Sequence, residues 1–129
     1  MKLKYKFTLL LLFLVILSSF GQQQAQVDKR LLIGEWSRTE SPCLMKITEA
    51  YDSGKLELTY FDVKLINTGK TYCLLKGTFL SLVVELLDEN NPGSYYKLNY
   101  NVERDVLVGE YYEVVDGITY PVEFVRTKQ

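Results

Sequence analysis

Residues 94–120 read SYYKLNYNVERDVLVGEYYEVVDGITY and hold six of the ten tyrosines of the chain. Within this stretch Tyr96, Leu98 and Tyr100 alternate with polar residues, and a period of two is typical of a half-buried β-strand. Asp116-Gly117 is a strong signal for a two-residue turn between antiparallel strands. The stretch therefore predicts antiparallel strands joined by tight turns.

The same alternation extends toward both ends of the chain. Leu56, Leu58 and Tyr60 share one face of a predicted strand, and no segment after residue 21 shows sustained helical periodicity. Eight strands are predicted, near residues 32–38, 43–49, 54–62, 69–76, 78–88, 94–101, 105–114 and 117–126. This pattern indicates an all-β fold, an eight-stranded antiparallel up-and-down barrel, with a β-sandwich as the alternative. Pro121 cannot donate to a β-ladder, so a bulge or an imperfect seam is expected in the last strand.

The N-terminal residues have the character of a secretory signal. Three lysines precede an apolar run from Phe7 to Phe20, and Ser19 and Gly21 supply the small residues of a cleavage site. A run of this length is shorter than the roughly 20 residues that span a bilayer. We therefore expect a helical signal peptide at 1–21, a disordered spacer at 22–30 and a β-barrel domain at 31–129. The expected localisation is exported, either periplasmic or extracellular, without membrane association after cleavage.

The composition argues against several classes of partner and of chemistry. Removing residues 1–21 takes away three lysines and no acidic residue, which leaves 12 basic against 16 acidic residues. Nucleic acid and anionic membranes both require a basic face, so neither is an expected partner. The chain has no histidine, which excludes the ordinary nucleophile–histidine pairs and removes the commonest zinc ligand. We expect no enzymatic activity, no catalytic residue, no metal and no cofactor.

Gly34-x-Trp36 in the first predicted strand and Arg126 at the end of the last resemble the calycin superfamily, which includes the avidins and lipocalins. The resemblance implies that Trp36 plugs one end of an eight-stranded barrel and that Arg126 packs across the indole face. The chain is also similar to a family of small secreted bacterial proteins. That similarity covers most of residues 31–127 and is clearest at residues 92–100 and 122–126. It implies a fold rather than an activity.

Cys43 and Cys73 are the two cysteines of a chain that we expect to enter an oxidising compartment. A disulfide between them would close a loop of about 30 residues and contribute about 3 to 4 kcal/mol. In an up-and-down barrel the two residues lie on strands separated by a third strand, about 9 to 10 Å apart within the sheet. A disulfide requires a Cα separation below about 7 Å. A Cys43–Cys73 disulfide, formed through loops at one end, and two free buried thiols are both retained as predictions.

Five tyrosines have the phase that points into the barrel: Tyr60, Tyr96, Tyr100, Tyr111 and Tyr120. An eight-stranded barrel has an interior that side chains fill or that holds one small ligand. The tyrosines therefore form either a packed core with hydrogen-bonded hydroxyls or the lining of a pocket near one mouth. The predicted ligand-binding residues are Tyr60, Tyr96, Tyr100 and Tyr111, with Arg38 supplying a positive charge at the rim.

The function expected from these features is that of a secreted, non-enzymatic barrel that binds a small, partly apolar ligand at its open end. The alternative is a protein-interaction module, such as an inhibitor of a secreted hydrolase or an envelope accessory protein. In that case the acidic loop at 88–93 is the expected contact surface.

Overall fold

A computed structural model describes residues 26–128 of the chain. Over this range the protein consists of one 3₁₀ helix, Lys29–Leu32, followed by nine β-strands. The strands are β1 (Gly34–Arg38), β2 (Cys43–Ala50), β3 (Leu56–Asp62), β4 (Lys64–Ile66), β5 (Thr68–Lys76), β6 (Phe79–Leu86), β7 (Tyr95–Asn101), β8 (Val106–Glu113) and β9 (Ile118–Lys128). The predicted signal peptide and residues 22–25 of the predicted spacer lie outside the described residues. Among the described residues no helix is long and apolar enough to cross a membrane.

The strands form one antiparallel sheet in the order β4-β3-β2-β1-β9-β8-β7-β6-β5. Pairing between β1 and β9 joins the first and last strands, as an up-and-down barrel requires. The all-β antiparallel barrel is thus confirmed, and one continuous sheet rules out the sandwich. The prediction of eight strands was one short, because the three-residue β4 folds back on β3 through Val63, whose φ is positive at 66°.

The ring is nearly closed at the remaining seam, between β3 and β5. One isolated bridge joins Lys55 to Tyr72 there. The Cys73 amide donates to the Gly54 carbonyl at 2.7 Å, and the Thr71 hydroxyl donates to the Leu56 carbonyl at 2.6 Å. Backbone and side-chain hydrogen bonds therefore replace a regular ladder along this seam.

Pro121 was expected to cause either a bulge or an imperfect seam in the last strand. The structure shows no bulge at Pro121 on the β8 side, and on the other side the pairing of β9 with β1 ends near it. The register between β8 and β9 runs through Pro121, opposite Glu110, without a shift. On the other side, β1 stops pairing where the Thr39 amide donates to the Glu123 carbonyl at 3.0 Å. In a strand, the backbone N–H and C=O groups of alternate residues point toward the same neighbouring strand. The backbone of Pro121 therefore points, like that of Glu123, toward the side of β1, where β1 no longer pairs with β9. The edge of β9 therefore lacks a donor where it has no partner strand, which protects it against strand addition.

The barrel interior is packed with side chains. The largest fully buried ones are Trp36, Tyr96, Phe124, Leu32, Met45, Ile47, Leu56, Leu80, Leu82, Leu98, Leu107 and Val84. Together with Tyr60 they belong to a single buried cluster that runs through the barrel. The tyrosines of this cluster are therefore core residues. This agrees with the interpretation of the inward-pointing tyrosines as a packed core rather than as the lining of a pocket.

One end of the barrel, here called the closed end, carries the 3₁₀ helix and the turns after β2, β5 and β7. The buried indole of Trp36 donates to the Leu32 carbonyl at 2.8 Å, and the Arg126 guanidinium lies 4.2 Å from the indole centroid. Arg126 also donates to Asp105 through Nε at 2.8 Å. The plug expected from the resemblance is present at this end, and Asp105 is an additional member of it.

The same end ties down part of the predicted spacer. Asp28 caps the 3₁₀ helix by accepting from the Arg30 amide at 2.9 Å, and Val27 is buried. Residues 27–32 therefore lie against the barrel, with Val27 and Leu32 buried. The apolar side chain of Val27 is what anchors them.

Cys43 and Cys73 are free, buried thiols, and the alternative of a disulfide was wrong. Cys43 is paired with Asp62 at one end of β3, whereas Cys73 is hydrogen-bonded to Gly54 just before the other end. Eight residues of extended chain separate Gly54 from Asp62, which corresponds to roughly 25 Å. The two thiols thus lie at opposite ends of the barrel, far beyond the reach of a disulfide.

Candidate binding site at the open end

The opposite end, called the open end, is where β1, β3, β6 and β8 finish. Trp36 and Arg38 have the same phase on β1, so Arg38 points inward at the last residue of the strand. Its Nη1 donates to the Tyr96 hydroxyl at 3.2 Å, and its guanidinium carbon lies 5.9 Å and 5.6 Å from the ring centroids of Tyr96 and Tyr111. Among the described side chains no carboxylate forms an ion pair with Arg38. A half-buried cation therefore lies across the open end without a counter-charge.

The Arg38 side chain rests on a pair of buried tyrosines. The hydroxyls of Tyr60 and Tyr96 are 2.7 Å apart, and their ring centroids are 5.6 Å apart. Burial raises the pKa of both phenols well above the ordinary value, so both hydroxyls stay neutral and form hydrogen bonds without carrying a charge. The Cys43 thiol adjoins Tyr60 and lies 3.0 Å from the Ser41 hydroxyl. A connected set of polar groups thus fixes the position of Arg38.

Tyr60→Phe is expected to lower the free energy of unfolding by about 1 to 2 kcal/mol, because Tyr96 loses a hydrogen-bond partner in a buried position. Urea titration followed by circular dichroism measures the change. Tyr72→Phe is the matched control, because the Tyr72 ring is half exposed on β5; we expect a change below about 0.5 kcal/mol there. Equal losses in the two variants would show that the hydroxyl pair contributes nothing specific.

Tyr111 forms the outer wall of the site. It is buried, its ring centroid lies 4.8 Å from that of Tyr96, and it stacks on Tyr120 at 6.3 Å. Burial raises the pKa of the Tyr111 phenol; the Ser94 hydroxyl beside it acts in the opposite direction. The Ser94 hydroxyl is itself fully buried and reaches no partner with good hydrogen-bond geometry among the described residues. Tyr120, expected inside the barrel, lies instead at the rim, where it is partly exposed.

Tyr100 does not belong to this site. Its hydroxyl donates to Asp105 at 2.7 Å, and its ring meets Trp36 edge-on with centroids 6.2 Å apart. Tyr100 is therefore part of the closed-end plug. Of the predicted ligand-binding residues, the structure brings together Arg38, Tyr60, Tyr96 and Tyr111 at the open end.

A cleft of about 280 Å³ opens beside Arg38, between the end of β1 and the free edge of β9. Its lining consists of Arg38, Thr39, Glu40, Val108, Pro121, Val122 and Glu123. This volume lies just below the usual range for small-molecule pockets, which begins near 300 Å³. The cleft therefore accommodates a side chain or a small fragment rather than a large ligand.

The loops around the open end expose apolar side chains. Val63 is 89% exposed and Val115 is 62% exposed. The set, called the apolar rim, consists of Val63, Leu65, Leu87, Val114, Val115 and Ile118. These residues were not identified from the sequence, where Val114 was placed as the last residue of the predicted strand at 105–114. The signal that was available is that they directly precede the turn at Asp116-Gly117.

The acidic loop at 88–93 lies at the same end. Asp88 accepts from the Asn90 amide at 3.1 Å, and the Ser94 amide donates to the Asn91 carbonyl at 3.2 Å, so the loop is a series of local turns. In the described part of the chain, no three acidic or cysteine side chains lie close enough together to hold a metal ion. Glu89 and Asn90 are exposed, so the loop presents polar groups to solvent.

The open end thus combines an unpaired guanidinium, two neutral phenols beneath it, a small cleft and an apolar rim. Comparison of the chain with protein-family models, with curated proteins and with solved structures returned no match. The function is therefore inferred from the chemistry of this end of the barrel.

Proposed function

We propose that the chain is an exported, non-enzymatic barrel of calycin type whose open end binds another protein. The observation that carries this proposal is the apolar rim. Exposed apolar side chains grouped on one part of a small protein mark interaction surfaces, and binding residues tend to lie on loops held by a rigid scaffold. The closed-end plug of Trp36 and Arg126 supports the calycin assignment.

The packing of the barrel favours a surface site over an internal one. The side chains that would line an internal chamber, among them Tyr60, Tyr96 and Leu98, are at most 2% exposed. Arginine and tyrosine are also the residues most enriched at the energetic centres of protein interfaces. Arg38 and Tyr111 lie at the same end of the barrel as the apolar rim and are residue types found at such centres.

The charge of the open end restricts the partner. Acidic residues outnumber basic ones in its loops, with Glu40, Asp88, Glu89 and Asp116 against Lys64. Such a surface repels nucleic acid and anionic lipid, and it suits a protein surface that is apolar with neutral or basic surroundings. A secreted hydrolase or a component of the cell envelope is the class of partner that an exported chain would meet.

Val114→Ser/Val115→Ser is expected to reduce partner binding roughly tenfold or more, because both side chains lose their apolar contact area. The tagged protein is incubated with the secreted and envelope fractions of its host, and the captured proteins are quantified by mass spectrometry. Leu74→Ser/Phe79→Ser is the matched control, since these two residues are similarly exposed near the closed end. Capture of the same proteins in equal amounts by both variants contradicts the proposal.

A second candidate function is the binding of a small, partly apolar molecule at the open end, against Arg38 and Tyr111. The unpaired guanidinium beside the cleft is the observation that favours it. Native mass spectrometry of protein purified from its host tests it: a ligand appears as an adduct that Arg38→Gln loses. Wild-type protein without adducts in that experiment counts against this candidate.

A further inference from the structure

The barrel carries two inward-pointing arginines on aromatic rings, one at each end, and they differ in how many of their donors are used. Arg126 donates to the Ile33 and Leu31 carbonyls and to both carboxylate oxygens of Asp105. Its charge and its hydrogen-bonding capacity are therefore matched within the chain. Arg126 therefore serves as the reference for an arginine whose nitrogens all donate to groups of the same chain.

Arg38 makes one hydrogen bond in the described structure, the donation to the Tyr96 hydroxyl. A guanidinium has five N–H donors, arranged as a planar fork that matches a carboxylate or a phosphate. The side chain is half-buried, so water reaches its donors less freely than on an open surface. Arg38 contributes to the lining of the cleft and forms no ion pair with a carboxylate among the described residues. Its unused donors are therefore available to an acidic group of a partner.

We infer that Arg38 is the anchor for a carboxylate carried by the docking polypeptide, an Asp or Glu side chain that enters the cleft beside β9. This inference deepens the proposed function and rests on it, since the apolar rim supplies the surrounding contacts. Arg38 requires one acidic side chain on the partner, and the apolar rim requires apolar residues around that side chain.

A carboxylate fits the surroundings better than a phosphate does. Glu40 and Glu123 line the same cleft, and Glu113 and Asp88 lie close enough to Tyr111 to influence its phenol. Glu123 is neutralised by Arg104 at 2.7 Å, but the others repel an incoming anion. Attraction to the guanidinium and repulsion from the carboxylates both grow with the charge of the anion. Because one cation stands against several acidic groups, the second charge of a phosphate adds more repulsion than attraction, and a singly charged carboxylate is favoured.

Arg38 is also held in place before any partner arrives. The rings of Tyr96 and Tyr111 lie against its guanidinium, and the Tyr60 hydroxyl fixes the Tyr96 hydroxyl that accepts from it. A fixed side chain loses little conformational freedom on binding, which is typical of interface hot spots. Pro121 removes the donor from the neighbouring edge of β9, so a partner is recognised there by its side chain rather than by strand addition.

The test compares two capped tripeptides, acetyl-Val-Glu-Leu-amide and acetyl-Val-Gln-Leu-amide, which differ only in the charge of the central side chain. Binding is followed by NMR through the Nε–Hε resonance of Arg38 in the full, folded protein. We expect the Glu peptide to bind roughly tenfold more tightly than the Gln peptide, because a charge-assisted hydrogen bond is lost. Arg38→Gln should abolish this preference and Arg38→Lys should retain part of it. Arg30→Gln, the same loss of charge at an exposed site at the closed end, should retain all of it.

Equal binding of the two peptides, or no shift of the Arg38 resonance at Glu peptide concentrations on the order of 10 mM, overturns the inference. Propionate serves as a free carboxylate: if it binds as tightly as the Glu peptide, the site takes a small acid and the polypeptide source is wrong. The Val114→Ser/Val115→Ser capture experiment distinguishes failure of the proposed function, protein binding by the apolar rim, from failure of the inference that Arg38 binds a carboxylate. If that variant loses the partner while Arg38→Gln retains it, the rim binds a protein and only the anchor is wrong.

Discussion

Arg126→Gln is expected to lower the free energy of unfolding by about 3 kcal/mol, the largest effect of any charge substitution in this barrel. The variant loses the ion pair with Asp105 and the stacking on Trp36 together. It also leaves the Leu31 and Ile33 carbonyls without their donor at the closed end. Urea titration at pH 7 followed by tryptophan fluorescence measures the change, and Trp36, as the single tryptophan, reports the opening of the plug directly.

Arg104→Gln is the matched control for this prediction. The Arg104 side chain is 61% exposed and forms an ion pair with Glu123 at 2.7 Å, whereas the Arg126 side chain is 11% exposed. Exposed ion pairs contribute about 0 to 1 kcal/mol, so we expect a loss below about 1 kcal/mol. Similar losses in the two variants would mean that Arg126 acts as one more surface charge and that no plug exists.

The closed-end pair also sets the sign of a pH dependence. Hydrogen bonds from Arg126 hold the pKa of the Asp105 carboxyl below its usual range, and the Tyr100 hydroxyl adds to this effect. Because the pKa is lower in the folded state, the stabilisation is present above the unfolded value near 3.9 and is lost as the pH falls through the folded value. Asp105→Asn should therefore lose less stability than the wild type between about pH 5 and about pH 3.

The strands were predictable from the sequence because a period of two is a local property of the backbone. Tyr96, Leu98 and Tyr100 alternate regardless of what the rest of the chain does, and the turn at Asp116-Gly117 is a local feature as well. β4 was missed because a strand of three residues is too short to show alternation. The turn that produces it has a valine, Val63, with a positive φ, a residue type that signals no such turn.

The candidate site was predictable in part, because alternation tells which face a residue occupies but not how far along the barrel it lies. Tyr96 and Tyr100 share a face, yet four residues of strand place them roughly 13 Å apart, at opposite ends of the interior. The same limitation explains Cys43 and Cys73. The predicted disulfide required both cysteines at one end of the barrel, whereas Cys73 is the sixth residue of β5, close to the closed end.

The apolar rim could not be recognised from the sequence, because exposure depends on where each strand stops. The predicted strand at 105–114 includes Val114, because the apolar composition continues past Glu113. In the structure β8 ends at Glu113, and Val114 and Val115 pass into the turn. The proposal that the open end binds a protein rests on this feature, which only the strand boundaries reveal.

Gly109→Ala is expected to lower the free energy of unfolding by at least about 3 kcal/mol. Gly109 on β8 lies opposite Leu98 on β7, and the two strands approach closely there. A Cβ at this position would lie 2.8 Å from the Leu98 Cα and would overlap the Lys97 carbonyl oxygen. Both are backbone groups of a paired strand, so the overlap is relieved only if the hydrogen-bonded pairing of β7 and β8 shifts. This pairing lies between the tyrosines of the open end and the closed-end plug.

Gly69→Ala separates backbone crowding from the general effect of adding a methyl group to a strand. Its Cβ would meet the end of the Glu85 side chain, 2.5 Å from Oε1, and that flexible side chain moves aside at little cost. We expect a loss below about 1 kcal/mol for Gly69→Ala. Urea titration of both variants measures the difference, and refolding yield provides the comparison if Gly109→Ala does not accumulate as folded protein. Losses within about 1 kcal/mol of each other would contradict the close approach of β7 and β8, because the two substitutions then meet the same resistance.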